Sequence, residues 1–427
     1  MDEKTRESVR LLSSWLAGSE RESIELLRRL IRFDSRIETN GQTGKEEQIQ
    51  KFVEEYLRGF GLEVDVFEPD NSRIRSYEGF NPGHVYAGRP NVIGRLRGAG
   101  GGRNLILNAH CDTVPPGDEA GWKVNPFGGE VSEAKVYGRG ASDMKAGLAS
   151  ILWVIQAIRR TGVPLRGDIV VESVVDEEGG GNGTLACVDR GYTAHGAIIA
   201  EPTALEVHLT NRGALLGEFE VSGLPVHAGM REFGANAIEK AYRLIAALGE
   251  LDRKWKASLR YPLIDPPGIA VGEIHGGTGA STLAGNCLVR FYTEFVAPEI
   301  DASMDKASVR KAVQEAVTVA CAGDSWLAEH PVEVRWYQDT STFFTKEDHP
   351  LTAGLLEALS LSNLEPRVGG FPSGCDAVYL SRLGKIPTVV FGPGSARQAN
   401  VDDEFVEIGQ YLNHQRALAA FAVLWSG

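Results

Sequence analysis

Three apolar runs in this chain each end on a side chain that can hold a proton or a cation. NLILNAH ends on His110, DIVVESVV runs into Asp176, Glu177 and Glu178, and GAIIA is followed by Glu201. Short runs rich in Val, Ile and Leu read as strands buried on both faces. In open α/β sheets, ligand sites gather outside the carboxyl ends of the strands. Three such ends carrying acids or histidine therefore predict an α/β layered domain whose sheet, parallel at least in part, presents one polar site. Helical stripes alternate with these runs, first at Ile24, Leu27, Leu30 and Ile31, then at Phe52, Tyr56 and Leu57. DMKAGLASILWVIQAIRR reads as a long helix with Asp143 as its N-cap.

From residue 207 the texture changes to an alternating strand, GALLGEFEVSG, then a helix, two further strands and a second helix. This predicts an α+β unit over residues 207–323 inserted into a larger domain made of residues 1–206 and 324–427. A length of 427 residues suits two domains. The net charge of −13, with no Lys/Arg-rich run, argues against nucleic acid and against anionic membrane surfaces. Five scattered cysteines without a CxxC pair and a mixed-charge N-terminus fit a cytoplasmic protein.

The residue types point to a bound metal. On a strand, residues two apart project to one side, so His110 and Asp112 can cooperate. A metal-bound imidazole commonly donates its other N–H to a carboxylate. Asp143 lies in the Gly-rich YGRGASDMKAG, and the acids at 176–178 repel one another unless a dication sits among them. Each feature is weak alone; their joint order along the chain is not.

HCDTVP, WKVNPF, YGRGASDMKAG, DEEGG, EPT, VHAG with GANAI, and IPTVVFGPG together resemble the metallopeptidase family of acetylornithine deacetylase, succinyl-diaminopimelate desuccinylase, carboxypeptidase G and the aminoacylases. The resemblance implies a zinc-aminopeptidase-like α/β catalytic domain with an inserted ferredoxin-like α+β lid that dimerises. It also implies a metal on His110, Asp143 and Glu201, with Asp143 bridging to a second metal that Glu178 binds. Asp112 would orient His110, and Glu177 would be the general base. His227 would reach the partner subunit's active site to stabilise the transition state. The implied activity is cleavage of a C–N bond other than a peptide bond in a small, carboxylate-bearing molecule, by a homodimer or larger homo-oligomer.

Three departures bear on this. Asn400, in QANVDDEF, stands where the family has its last metal-ligating His. An amide oxygen suits a hard cation such as Mn²⁺ better than Zn²⁺ or Co²⁺. The expectation is thus one divalent metal per subunit rather than two. Ser281 and Ala284 replace the lid Asn and Pro of the substrate segment, while Arg231, and less directly Arg212, offer a guanidinium for a carboxylate. Two alternatives follow. One is an aromatic aminohydrolase of the nitroanthranilate type, which releases ammonia by attack on a ring carbon. The other is a binding protein that has lost catalysis, against which stands the retained set of Glu177, Asp143 and the His110–Asp112 pair.

Overall fold

The computed structural model describes residues 2–39 and 41–427, which divide into two compact units. The first comprises residues up to Thr210, Phe343–Phe371 and Cys375–Gly427; the second comprises Asn211–Thr342 and Pro372–Gly374. No helix among the described residues is long and apolar enough to cross a membrane.

In the first unit the strands of the main sheet are β1 (Glu63–Phe67), β2 (Asn91–Leu96), β3 (Leu105–His110), β4 (Ile169–Val174), β5 (Gly196–Ile199), β6 (Val207–Asn211), β7 (Val368–Phe371) and β8 (Thr388–Val390). They form one sheet in the order β7-β6-β8-β5-β3-β4-β2-β1. Pairing is parallel across β8-β5, β5-β3 and β3-β4, and antiparallel across β4-β2 and β2-β1. The three runs singled out in the sequence are thus the parallel centre of the sheet, and every residue of β3, β4 and β5 is buried.

The longer helices of this unit are α1 (Glu3–Gly18), α2 (Glu20–Ile31), α3 (Glu47–Gly59), α4 (Ala146–Thr161), α5 (Asn182–Asp189), α6 (Pro350–Leu361) and α7 (Ile408–Ser426). The first was not foreseen: Val9, Leu12 and Leu16 make a stripe too thin to stand out among charges, yet they pack α1 against α4 and α7. Helix α4 is buried on all sides, as its apolar sequence requires. It ends at Gly162, whose φ of +67° and N–H to Ile158 O close the last turn. Near its start, a Cβ on Gly147 would collide with the carbonyl oxygen of Ala200. That close approach brings the segment carrying Asp143 against the end of β5, next to Glu201.

Asp143 is not the N-cap expected from the sequence. α4 begins at Ala146, and Asp143 and Met144 have non-helical φ/ψ inside a distorted turn over Ala141–Lys145, with a cis peptide between them. Within this turn the N–H groups of Ser142 and Asp143 bind Glu404, and the N–H of Lys145 binds the Gly140 carbonyl.

The second unit runs strand, helix, strand, strand, helix, strand. Its antiparallel sheet has the order Ile269–Gly276, Asn286–Phe295, Gly213–Ser222, Arg335–Asp339, with helices Ala237–Ser258 and Lys306–Ala322. This is the ferredoxin-like arrangement. Leu215, Phe219, Leu244, Val289, Phe291 and Val313 are in its core. The sequence placed the return to the larger domain at 324. The chain stays in the second unit to Thr342, because Arg335–Asp339 supplies the fourth strand beside Gly213–Ser222.

One buried pair in the central sheet makes a sharp prediction. Asn108 on β3 lies opposite Glu172 on β4, and its Nδ2 donates to Glu172 Oε2 at 3.0 Å. Asn108 Oδ1 and Glu172 Oε1 are both buried without a hydrogen bond. A neutral Glu172 carboxyl would donate to Asn108 Oδ1 and satisfy both atoms. Burial pushes the Glu172 carboxyl up to about 7 from 4.5, against the lowering effect of Asn108. A folded value above the unfolded one means stability that is complete below pH 4.5 and lost as the pH rises through about 7. Glu172→Gln, which presents an N–H without needing a proton, is therefore expected to stabilise the fold at pH 8 by about 3 kcal/mol. The gain should vanish near pH 4.5 in urea titrations. An equal gain at both pH values would show that Glu172 is not held neutral.

Candidate active site

The site is built on His110, the last residue of β3, whose side chain is fully buried. Its Nδ1 lies 3.0 Å from the carbonyl oxygen of Asp112, which fixes the ring's orientation. The Asp112 carboxylate, expected to do this, is 3.6 Å away. It instead accepts the backbone N–H groups of Glu177 (3.3 Å) and Glu178 (3.0 Å). Asp112 thus couples the end of β3 to the acidic turn after β4.

The other ring nitrogen faces carboxylates. Nε2 is 3.1 Å from Asp143 Oδ1, 3.6 Å from Glu201 Oε1 and 3.9 Å from Glu177 Oε2. Among the described residues, the donor atoms of His110, Glu177 and Glu201 lie within 4.8 Å of one another, a span suited to one metal ion. That trio differs from His110, Asp143 and Glu201, although Asp143 makes the shortest contact to the ring. Glu201 keeps 3% side-chain exposure, against 15% for Asp143 and 17% for Glu177, so solvent meets the cluster on the Asp143–Glu177 side.

The charges are mutually raised. Burial first, then the Glu201 carboxylate, holds Glu177 well above the usual carboxylate range; burial and Asp143 do the same to Glu178 and Glu201. Burial pulls the His110 imidazole down, but Glu201, Asp143, Asp112 and Glu177 override it and hold it well above 6.5. One imidazole cannot neutralise this many acids. Glu178 Oε1 is moreover buried without a hydrogen bond. Oxygen and imidazole donors with unmet negative charge are the donor set of a divalent metal site.

Asp176 does not join the cluster. Counted in the sequence among three repelling acids, it turns its carboxylate away to His84, Tyr86 and Arg89. Asn400 is exposed at a left-handed turn, φ +63°. In the second unit, His227 is exposed with Nδ1 accepting from Gly229 N, and its segment bridges to Thr282, beside Ser281. Arg231 is exposed in the short helix that follows. Arg212 is engaged with Glu294 Oε2 at 2.9 Å and the Pro372 carbonyl at 3.1 Å, so its guanidinium is not idle.

Two buried acids near the cluster were not read from the sequence. Asp376 accepts the Thr184 hydroxyl at 2.6 Å, and burial pushes its carboxyl up to about 7. Glu404 accepts from Arg139 Nη1 (2.8 Å) and from the N–H groups of Gly140 (3.0 Å), Ser142 (2.8 Å) and Asp143 (3.0 Å). It shapes the loop that presents Asp143. A signal existed in Arg139, the one cation ahead of Asp143 in YGRGASD, which needs a carboxylate partner once buried.

The model of peptidase family M20/M25/M40 matches residues 106–423, from β3 through α7. The chain is 31% identical over 405 residues to N-formyl-4-amino-5-aminomethyl-2-methylpyrimidine deformylase of Bacillus subtilis, covering 89% of each chain. It is 29% identical over 385 residues to acetylornithine deacetylase of Vibrio parahaemolyticus, covering 85% of this chain and 87% of the relative. In fold it is similar to a tripeptidase from Staphylococcus aureus, with a TM-score of 0.74 at 20% identity, covering 96% and 99% of the two chains. The matched span includes β3 with His110, the Asp143 turn, the acidic pair after β4 and Glu201, and by that match the chain belongs to peptidase family M20/M25/M40.

Proposed function

We propose that this chain is a metal-dependent hydrolase that removes a short acyl group, formyl foremost, from the nitrogen of a small molecule. The observation that carries the proposal is the ring of Asp143, Glu201 and Glu177 around His110 Nε2, at 3.1 to 3.9 Å. His110, Asp143 and Glu201 would hold one divalent ion, Mn²⁺ or Zn²⁺. When bound, such an ion supplies Lewis acidity and eases ionisation of the attacking water. Glu177, on the solvent-facing side, takes the proton from water and returns it to the leaving nitrogen. Asp112 holds Glu177 by its backbone N–H, and Asp143 would bridge to Glu178 if a second ion bound. Asn400, exposed in its turn, favours one ion.

The deformylase and deacetylase relatives are named for acyl removal. The first relative's named substrate carries no carboxylate, and in this chain Ser281 replaces the lid Asn while Arg212 is tied to Glu294. Arg231 is left as the residue that would grip a carboxylate if the substrate has one. His227 would stabilise the developing oxyanion from a partner subunit. A homodimer is supported by the edge strand Ile269–Gly276, which exposes nearly all its residues and leaves its outer backbone groups open to a second copy. A cytoplasmic setting is supported by five buried, unpaired cysteines.

The test is release of carboxylic acid by chelated and Mn²⁺- or Zn²⁺-reloaded protein. The panel is an N-formyl aminomethylpyrimidine, N-acetylornithine, N-succinyl-diaminopimelate and an aminobenzoate. Formate release restored by metal is the expected result. Ammonia from the aminobenzoate alone would move the activity to ring deamination, and a count of two tightly bound ions per chain would overturn the single-metal assignment.

A further inference from the structure

Asp176 has φ +69° in a fully buried, non-glycine residue immediately before Glu177. Such a backbone costs on the order of 1–3 kcal/mol and persists only where its surroundings over-determine it. Here they do. The Asp176 carboxylate takes Tyr86 OH at 2.6 Å, His84 Nδ1 at 3.0 Å and Arg89 Nη2 at 3.2 Å. Its carbonyl takes the N–H groups of Gly180 (3.0 Å) and Gly181 (2.6 Å), closing the turn.

The donors are themselves held. Arg89 is bidentate to Glu46, with Nε 3.0 Å and Nη2 2.6 Å from Oε1, and also donates to the Gly41 carbonyl at 3.2 Å. Asn182, at the start of α5, donates to Tyr86 OH at 2.7 Å and to the Asn81 carbonyl at 2.8 Å. One short segment, residues 84–89, therefore grips the residue before Glu177 from one side. Asp112 grips the N–H groups of Glu177 and Glu178 from the other. A carboxylate that must meet water at a set place is best aimed by a backbone fixed on both sides.

We propose that His84, Tyr86 and Arg89, acting through Asp176, are positioning residues that aim the Glu177 carboxylate at the reacting centre. This rests on Glu177 being the base, as proposed above. None of the three touches substrate in this scheme. Their work is to enforce the left-handed turn and hence the direction of the side chain that follows it.

The experiment uses the full chain with two variants. Asp176→Gly accepts φ +69° without strain and keeps the carbonyl bonds to Gly180 and Gly181 but drops every side-chain anchor; Tyr86→Phe removes that residue's hydroxyl at nearly constant shape. Both are expected to fold, and to lower kcat for the best acyl substrate, Asp176→Gly by about 100-fold and Tyr86→Phe by about 10-fold, with KM within about twofold. A purely structural network would lower the melting temperature without separating kcat from KM. Crystal structures of wild type and Asp176→Gly give a readout independent of activity. Glu177 Oε2, 3.9 Å from His110 Nε2 in the wild type, is expected to move away. A Glu177 that stays in place in Asp176→Gly overturns the proposal whether or not the wild type hydrolyses amides. A wild type silent on every amide, with Glu177 displaced in the variant, would defeat the functional reading alone.

Discussion

Glu177→Gln is expected to lower kcat by about 10² to 10⁴-fold on whatever amide the wild type cleaves, with KM and thermal stability little changed. Gln has nearly the volume of Glu and keeps the backbone N–H that Asp112 accepts, so the turn after β4 stays intact. What it loses is the ability to take a proton from water and give it to the leaving nitrogen. Steady-state kinetics on the metal-loaded protein check this. A loss in KM alone would make Glu177 a binding residue, and a loss below tenfold would place the base elsewhere.

Glu404→Ala is expected to destabilise the first unit by about 3–5 kcal/mol, the range seen when one partner of a buried ion pair is removed. It leaves the Arg139 guanidinium, 3% exposed, with the Val401 carbonyl but no counter-charge, and the N–H groups of Gly140, Ser142 and Asp143 without their acceptor. The same loop carries Asp143, so metal affinity should fall with stability. Glu404→Gln, which keeps an acceptor oxygen for some of these donors, should lie between. Urea titration measures the stability; an effect within about 0.5 kcal/mol, typical of a surface site, would contradict the anchoring role.

The sheet's centre was legible because strands buried on both faces are continuous apolar runs, and their polar last residues marked the site's edge. The α+β unit was legible for a related reason: an antiparallel strand with one buried face alternates, and GALLGEFEVSG does so. What escaped the sequence depended on long-range partners. Asp143 reads as an N-cap until Glu404, far along the chain, is seen to take the N–H groups of Ser142 and Asp143 in the distorted turn that precedes the helix. Asp176 reads as one of three equal acids until His84, Tyr86 and Arg89 arrive from the loop before β2. Asp112 reads as the partner of His110 by spacing, but its carbonyl makes that contact and its carboxylate serves the next strand's turn. Residue 324 reads as a boundary because Arg335–Asp339 is a short strand whose pairing with Gly213–Ser222 has no local signature.

The geometry leaves one choice at the heart of the site: Glu177 stands within 4.8 Å of the donor atoms of both His110 and Glu201, close enough to be a metal ligand as well as a base. Calorimetric titration of Mn²⁺ and Zn²⁺ into apo wild type, His110→Ala and Glu177→Gln separates the two. If Glu177 is the base and His110, Asp143 and Glu201 hold the ion, His110→Ala loses binding while Glu177→Gln keeps an affinity within a few-fold of wild type. If Glu177→Gln loses the ion as His110→Ala does, Glu177 is a ligand and the assignment of the base fails.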